Sequence, residues 1–179
     1  ERLRPTSSGN LIHRLFNNCT QVHWDTRQPP RPQDLLQAGR DTWILHPHGQ
    51  PPPPQSDPAR LQIILLDGAW TEAGTMAKEV KNWGQLVSLP LVGESRFWLR
   101  AKQDAERFST AEALLFLLHQ LNLHEAESAL RAQFELLVYA ALRARGRADL
   151  AANFLENSVL NTAMPRELAQ LQARRPLTD

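Results

Sequence analysis

Leu61-Gln62-Ile63-Ile64-Leu65-Leu66 restricts the fold more than any other part of the chain, because it is nearly all apolar and stops abruptly at Asp67-Gly68. A short apolar run bounded by turn chemistry reads as a buried parallel strand. Just beyond it, Trp70, Ala73, Met76, Ala77 and Val80 recur at helical spacing, so the chain passes from strand to helix within a few residues. Strands that alternate with helices predict an α/β domain with a parallel sheet. Asp67 then stands at the carboxyl end of a strand and faces a helix start, where open parallel sheets hold their ligands.

The flanking sequence extends the pattern. Thr42-Trp43-Ile44-Leu45-His46 is a second strand by its β-favouring content, ending at Pro47. The proline-rich stretch from Pro47 to Pro58 reads as an extended surface loop; its Pro51-Pro52-Pro53-Pro54 run also has the form of an SH3-type ligand. Leu86-Val87-Ser88-Leu89 is a further short strand ending at Pro90, and Val22-His23-Trp24 has the content of another. Pro5-Thr6-Ser7-Ser8-Gly9-Asn10 opens into a helix carried by Leu11, Ile12, Leu15 and Phe16. Its N-terminus suits either an anion or ordinary capping. A short helix starts at Pro32. Ser109-Thr110-Ala111-Glu112 has the form of a capping box ahead of Ala113, Leu114, Phe116, Leu117 and Leu118. Leu130, Phe134, Leu137, Val138 and Ala141 mark an amphipathic helix ending near Gly146, and the rest reads as helical pieces broken at Pro165. This helical half is expected to cover one face of the sheet. The 179 residues are expected to form a single domain, with an α/β core over 1–120 and a helical part over 121–179.

Charge and composition narrow the partners. The net charge is +1, so any nucleic-acid face must be local. Lys occurs only at 78, 81 and 102, whereas Arg is concentrated in 2–14, 96–107 and 143–147. That bias fits phosphate contacts and base stacking, and equally fits solvated surface Arg. With 42% hydrophobic residues and no apolar run of about 20, the chain has no membrane-span signature. A single cysteine, Cys19, excludes an internal disulfide framework and points to a reducing compartment, the cytoplasm. The start at Glu1, without Met or a leader pattern, reads as that of an excised fragment.

Among candidate groups Asp67 stands out: an acid directly after a buried strand either caps the next helix or binds something. Glycine-rich nucleotide fingerprints, Walker loops, zinc spacings and nucleophile elbows do not occur. Histidines stand at 13, 23, 46, 48, 119 and 124, and only His46 and His48 are close in sequence. With no acid or Cys beside that pair, no metal site is expected.

Four segments together, in order, resemble the DTW-domain family: Pro5-Thr6-Ser7-Ser8-Gly9-Asn10-Leu11-Ile12, Leu66-Asp67-Gly68-Ala69-Trp70-Thr71-Glu72-Ala73, Ser95-Arg96-Phe97-Trp98-Leu99-Arg100 and Phe108-Ser109-Thr110-Ala111-Glu112-Ala113. The likeness covers roughly residues 1–120. Bacterial members are tRNA-uridine aminocarboxypropyltransferases, so it implies S-adenosylmethionine as cofactor, tRNA as partner, and a parallel-sheet, SPOUT-like, trefoil-knotted fold. It also implies a cofactor pocket near Leu45, Pro47, Leu66, Asp67, Gly68, Leu89, Ser109 and Thr110. Catalytic roles fall to Asp67, Trp70, Arg100 and Glu112, and tRNA contacts to Ser8, Gly9, Arg14, Ser95, Arg96 and Trp98. The chain departs from the pattern at Ala69, where the family's Asp-x-Thr-Trp signature has Thr, and at Trp98, where many members have Arg. The family's upstream cysteine-rich zinc segment and first strand have no counterpart here.

The chemistry implied is transfer of the 3-amino-3-carboxypropyl group to uridine N3. Asp67 then acts either as base for N3–H or as an anchor for the cofactor's amino group or a hydroxyl. Glu112 either caps its helix or orients another residue. Arg100 grips a carboxylate or a phosphate, and Trp70 and Trp98 either stack on a base or belong to the core. An RNA methyltransferase, a non-catalytic RNA-binding module and a proline-arm interaction domain are the alternatives.

Overall fold

The computed structural model describes residues 7–54, 56–90, 92–100 and 108–173. The arginines at 2 and 4, the 101–107 part of the Arg-rich segment and the side chain of Trp70 lie outside the described residues.

The expected strand after Leu61 forms, as β2 (Leu61–Leu65), with β1 (Asp41–Gln50) and β3 (Gln85–Val87) completing a three-stranded parallel sheet. The order is β2-β1-β3, so β1 is central, and β2 is half-buried throughout instead of being the innermost strand. Trp43 pairs with Ile63 on one side and Gln85 on the other. β1 does not end at Pro47, as its missing N–H would predict. Pairing with β2 stops at Leu45↔Leu65, while Leu45 and Gln50 both align with Val87, so residues 46–49 bulge out of the ladder. In a bulge, proline costs no ladder hydrogen bond. Gly49 lets the bulge lie on β3, since a Cβ there would stand about 2.5 Å from the Val87 carbonyl carbon. The proline-rich segment is accordingly shorter than expected, and it is the crossover from β1 to β2, closed by a 3-10 turn at Pro58–Arg60. Val22-His23-Trp24 forms no strand: it has one aliphatic residue, Val22 is exposed, and the segment pairs with no neighbour.

The helices are α1 (Ser8–Leu15), α2 (Pro32–Leu35), α3 (Trp70–Val80), α4 (Thr110–Gln120), α5 (His124–Ala144), α6 (Ala148–Glu156), α7 (Leu160–Ala163) and α8 (Pro165–Ala173). Alternation along the strands sorts side chains between two layers. Trp43, Leu45, Leu61, Ile63, Leu65 and Val87 join one cluster with Leu114, Leu117, Leu118, Phe134, Val138 and Phe154, so the helical half does cover one face. Ile44 points the other way and is fully buried where α3 packs on β1. α4 and α5 end in the same backbone motif. At α4, Asn122 takes a left-handed φ of 57°, with Asn122 N–H donating to His119 O and Leu123 N–H to Leu118 O. At α5, Gly146 (φ 68°) fills the same position, and Arg147 N–H reaches Leu142 O. Cys19 is half-buried, and burial pushes its thiol up, as for a packing residue rather than a nucleophile. Among the described residues no helix is long and apolar enough to cross a membrane.

Candidate active site

The N-terminus of α4 is where the site gathers. Asp67, two residues beyond β2, does not cap α3: that position belongs to Ala69. Its carboxylate is shared between two other helices. Ser7, the N-cap of α1, donates its hydroxyl to Oδ2 at 2.9 Å, and Thr110, the first residue of α4, donates to Oδ1 at 2.6 Å. Ser8 ties the same two helix starts together by accepting Ala111 N–H at 3.4 Å. Gly9 allows this closeness: an added Cβ would come within 2.7 Å of Asp67 Cγ and nearer still to Oδ2. Three helix N-termini, those of α1, α3 and α4, therefore surround one oriented carboxylate, and their dipoles favour negative charge there.

Glu112 organises the other side. It is 5% exposed and accepts four hydrogen bonds: from Ser109 N–H at 2.6 Å, Arg96 N–H at 2.6 Å, and Ser95 Oγ at 3.0 Å to each oxygen. Ser109 completes the capping box by accepting Glu112 N–H. Of its two expected roles, Glu112 thus fills both, capping α4 and fixing the 95–96 turn.

The Arg-aromatic segment is built into the helical layer. Arg96 donates to Phe154 O at 2.9 Å, lies 3.6 Å from Glu135 Oε2, and stacks over the Phe154 ring at 4.1 Å. Its Nε is buried with no hydrogen-bond partner among the described residues. Trp98 meets Phe154 edge-on at 5.3 Å and Phe97 stacks on Phe134 at 6.1 Å. Arg145 donates to Leu99 O from the end of α5. In this arrangement Arg96 and Trp98 point into protein, not toward Asp67. Arg100 is drawn to the site by donating to Phe108 O at 3.2 Å, with its guanidinium over Phe97.

The remaining predicted residues are dispersed. Leu45 and Leu89 are half-buried and pack on the core at strand ends. Leu66 and Gly68 flank Asp67; a Cβ on Gly68 would press on Glu72 and Met76 at 3.0–3.2 Å. Pro47 sits on the exposed bulge, and Arg14 is exposed in the last turn of α1. His46, at the carboxyl end of the regular part of β1, has its imidazole pKa pushed down by burial and then by the neighbouring His48. Ser7 was missed as a site residue, although its place before a helical run marks it as an N-cap. Volume does not single out this site. A cavity of about 670 Å³ opens at the opposite, amino-terminal ends of the strands beside Arg40, Trp43, Arg60 and Trp83. It holds none of the predicted residues, whereas the strand-end cluster has the convergent polar groups that mark a binding site.

The sheet is parallel, with an oriented carboxylate beyond its strand ends, the place where open α/β sheets generally hold their ligands. The model of the DTW domain matches residues 1–142, and the chain belongs to the DTW-domain family. That membership is consistent with a tRNA-modifying role. Comparison with curated proteins and with solved structures finds no match.

Proposed function

We propose that the chain transfers the 3-amino-3-carboxypropyl group of S-adenosylmethionine to N3 of a uridine in tRNA, releasing 5′-methylthioadenosine. The observation that carries this reading is convergence. The four segments of family resemblance, far apart in sequence, meet through Ser7, Asp67, Ser95, Arg96, Thr110 and Glu112 at one helix start. The donor set fits the cofactor. Asp67 offers about four acceptor positions, of which Ser7 and Thr110 take two, leaving acceptors for an ammonium or a ribose hydroxyl. Leu45, Leu66 and Leu89 supply apolar surface at the strand ends.

When bound, the sulfonium supplies three electrophilic carbons, and positioning selects among them. Ser7 and Thr110 hold the Asp67 carboxylate in one orientation, so that it accepts either the N3 proton or the cofactor's ammonium. Glu112 keeps Ser95 and Arg96 against α4. Arg100 brings positive charge to the same helix start for a carboxylate or an RNA phosphate. A SPOUT-like, knotted topology is part of this proposal.

The test is incubation with unmodified tRNA and S-adenosylmethionine, followed by mass spectrometry of nucleosides and small molecules. Aminocarboxypropyluridine with methylthioadenosine is expected. S-adenosylhomocysteine with a methylated nucleoside replaces the proposal with a methyltransferase, and tRNA binding without any product replaces it with a binding module. Asp67→Asn should keep the fold and lower turnover by about 10²-fold or more; near-normal turnover removes Asp67 from the chemistry.

A further inference from the structure

We propose that His119, His124 and Glu127 form a binding site for one divalent transition-metal ion of borderline softness, with Zn²⁺ the type. The three residues stand at the turn between α4 and α5, and any two of their ligand atoms lie within 4.8 Å. The two imidazoles address a single point: His119 Nδ1 is 3.0 Å and His124 Nδ1 is 3.5 Å from the same oxygen, Glu127 Oε2. Bonds of about 2.0–2.1 Å to a tetrahedral ion separate its ligand atoms by about 3.3–3.4 Å, so both separations bracket the edge of a zinc tetrahedron.

The carboxylate is arranged to serve. Arg131 donates to Oε1 at 3.0 Å and leaves Oε2 as the shared corner, the role an outer partner plays in orienting a metal-binding carboxylate. The imidazoles are 70% and 63% exposed, so an ion has an open path and a fourth position for water. Two imidazoles and one carboxylate suit zinc-like ions and not Mg²⁺ or Ca²⁺, which require oxygen ligands.

Backbone geometry makes the grouping a fixed feature. His119 is in the last turn of α4 and His124 is the first residue of α5. The left-handed residue Asn122, with Leu123 N–H bonded to Leu118 O, sets the angle between the two helices and hence the spacing of the ligands. The sequence spacing, His-x4-His-x2-Glu, matches no common zinc pattern, which is why it passes unnoticed in the linear chain. Along α4 the site is about 14 Å from Thr110, so it is separate from the Asp67 cluster and independent of the proposed reaction. A bound ion would cross-link the end of one core helix to the start of the next.

The experiment uses the full, tag-free chain after chelator treatment. ZnCl₂ is titrated by calorimetry, and CoCl₂ by visible absorption, which reports tetrahedral coordination. One saturable ion per chain is expected, together with a zinc-dependent rise in melting temperature. His119→Ala and His124→Ala should each weaken binding at least about tenfold, and the double variant should abolish it with unchanged circular dichroism. A His46→Ala/His48→Ala variant should bind as the parent does. Absence of saturable binding, binding that survives the His119/His124 double variant, or binding lost in the His46/His48 variant overturns the proposal.

Discussion

Replacing Glu112 by Ala removes one carboxylate from three donors at once. Ser109 N–H is in a residue only 3% exposed and has no water to turn to, while Arg96 N–H and the Ser95 hydroxyl lie at the edge of the core. A hydrogen bond to a charged group contributes about 1.5–3 kcal/mol, and a buried donor left unmade costs about 1–3 kcal/mol. Two stranded backbone donors and a lost cap therefore sum to about 3–5 kcal/mol of destabilisation, at the upper end for point substitutions. For a chain of this size each kcal/mol moves the melting temperature by about 2–4 °C, so a fall of about 10 °C is expected. Glu112→Gln keeps one acceptor oxygen and should lose roughly half as much. Urea unfolding of the three proteins measures the difference directly. A loss under about 1 kcal/mol in Glu112→Ala would show that water or another acceptor reaches these groups, and the assignment of Glu112 as the fastener of the 95–96 turn would be wrong.

Gly9→Ala should push the Asp67 carboxylate out of register with Ser7 and lower transfer by about 10²-fold, the scale of an ångström misplacement; unaltered turnover would mean that this placement is not needed. Ala69→Thr puts a hydroxyl at the N-cap of α3, where Glu72 already accepts Ala69 N–H at 2.7 Å, and should stabilise the fold by about 1 kcal/mol in denaturant unfolding; no gain would refute the capping geometry. His46 is depressed chiefly by burial and secondly by His48, so its contribution to stability is complete above its unfolded pKa of about 6.5 and is lost as pH falls through its lower folded value. Proton NMR should show His46 titrating below that value and moving part of the way back in His48→Gln; an unshifted curve in the variant would exclude the charge repulsion.

Sequence reading recovered those parts of the fold that local physics determines. The apolar run before Asp67, the capping box at Ser109 and the periodicity of α5 each specify their element without help from distant residues. The errors fall where a distant partner decides. Pro47 ends a strand in isolation, but here it sits in a bulge that needs no N–H. Val22-His23-Trp24 has strand content and no strand beside it. Asp67 stands out in the sequence as either a helix cap or a binding group, and its two partners lie 60 and 43 positions away, so nothing local separates a cap from a hydrogen-bonded hub. Arg96 is expected among the tRNA contacts, and nothing local shows that its acceptor, Phe154 O, lies 58 residues further on inside the helical layer.

The reach of these bonds has a consequence for synthesis on the ribosome. When Asp67 has emerged, Ser7 is the one of its two partners already made; Thr110 follows 43 residues later. Glu112 can fasten the 95–96 turn once α4 has emerged, but the Arg96 guanidinium is seated only with Phe154, so a nascent chain stopped short of α6 leaves it unseated. The seating of Arg96 is therefore tied to the arrival of α6 and to the closing of the core around Phe154.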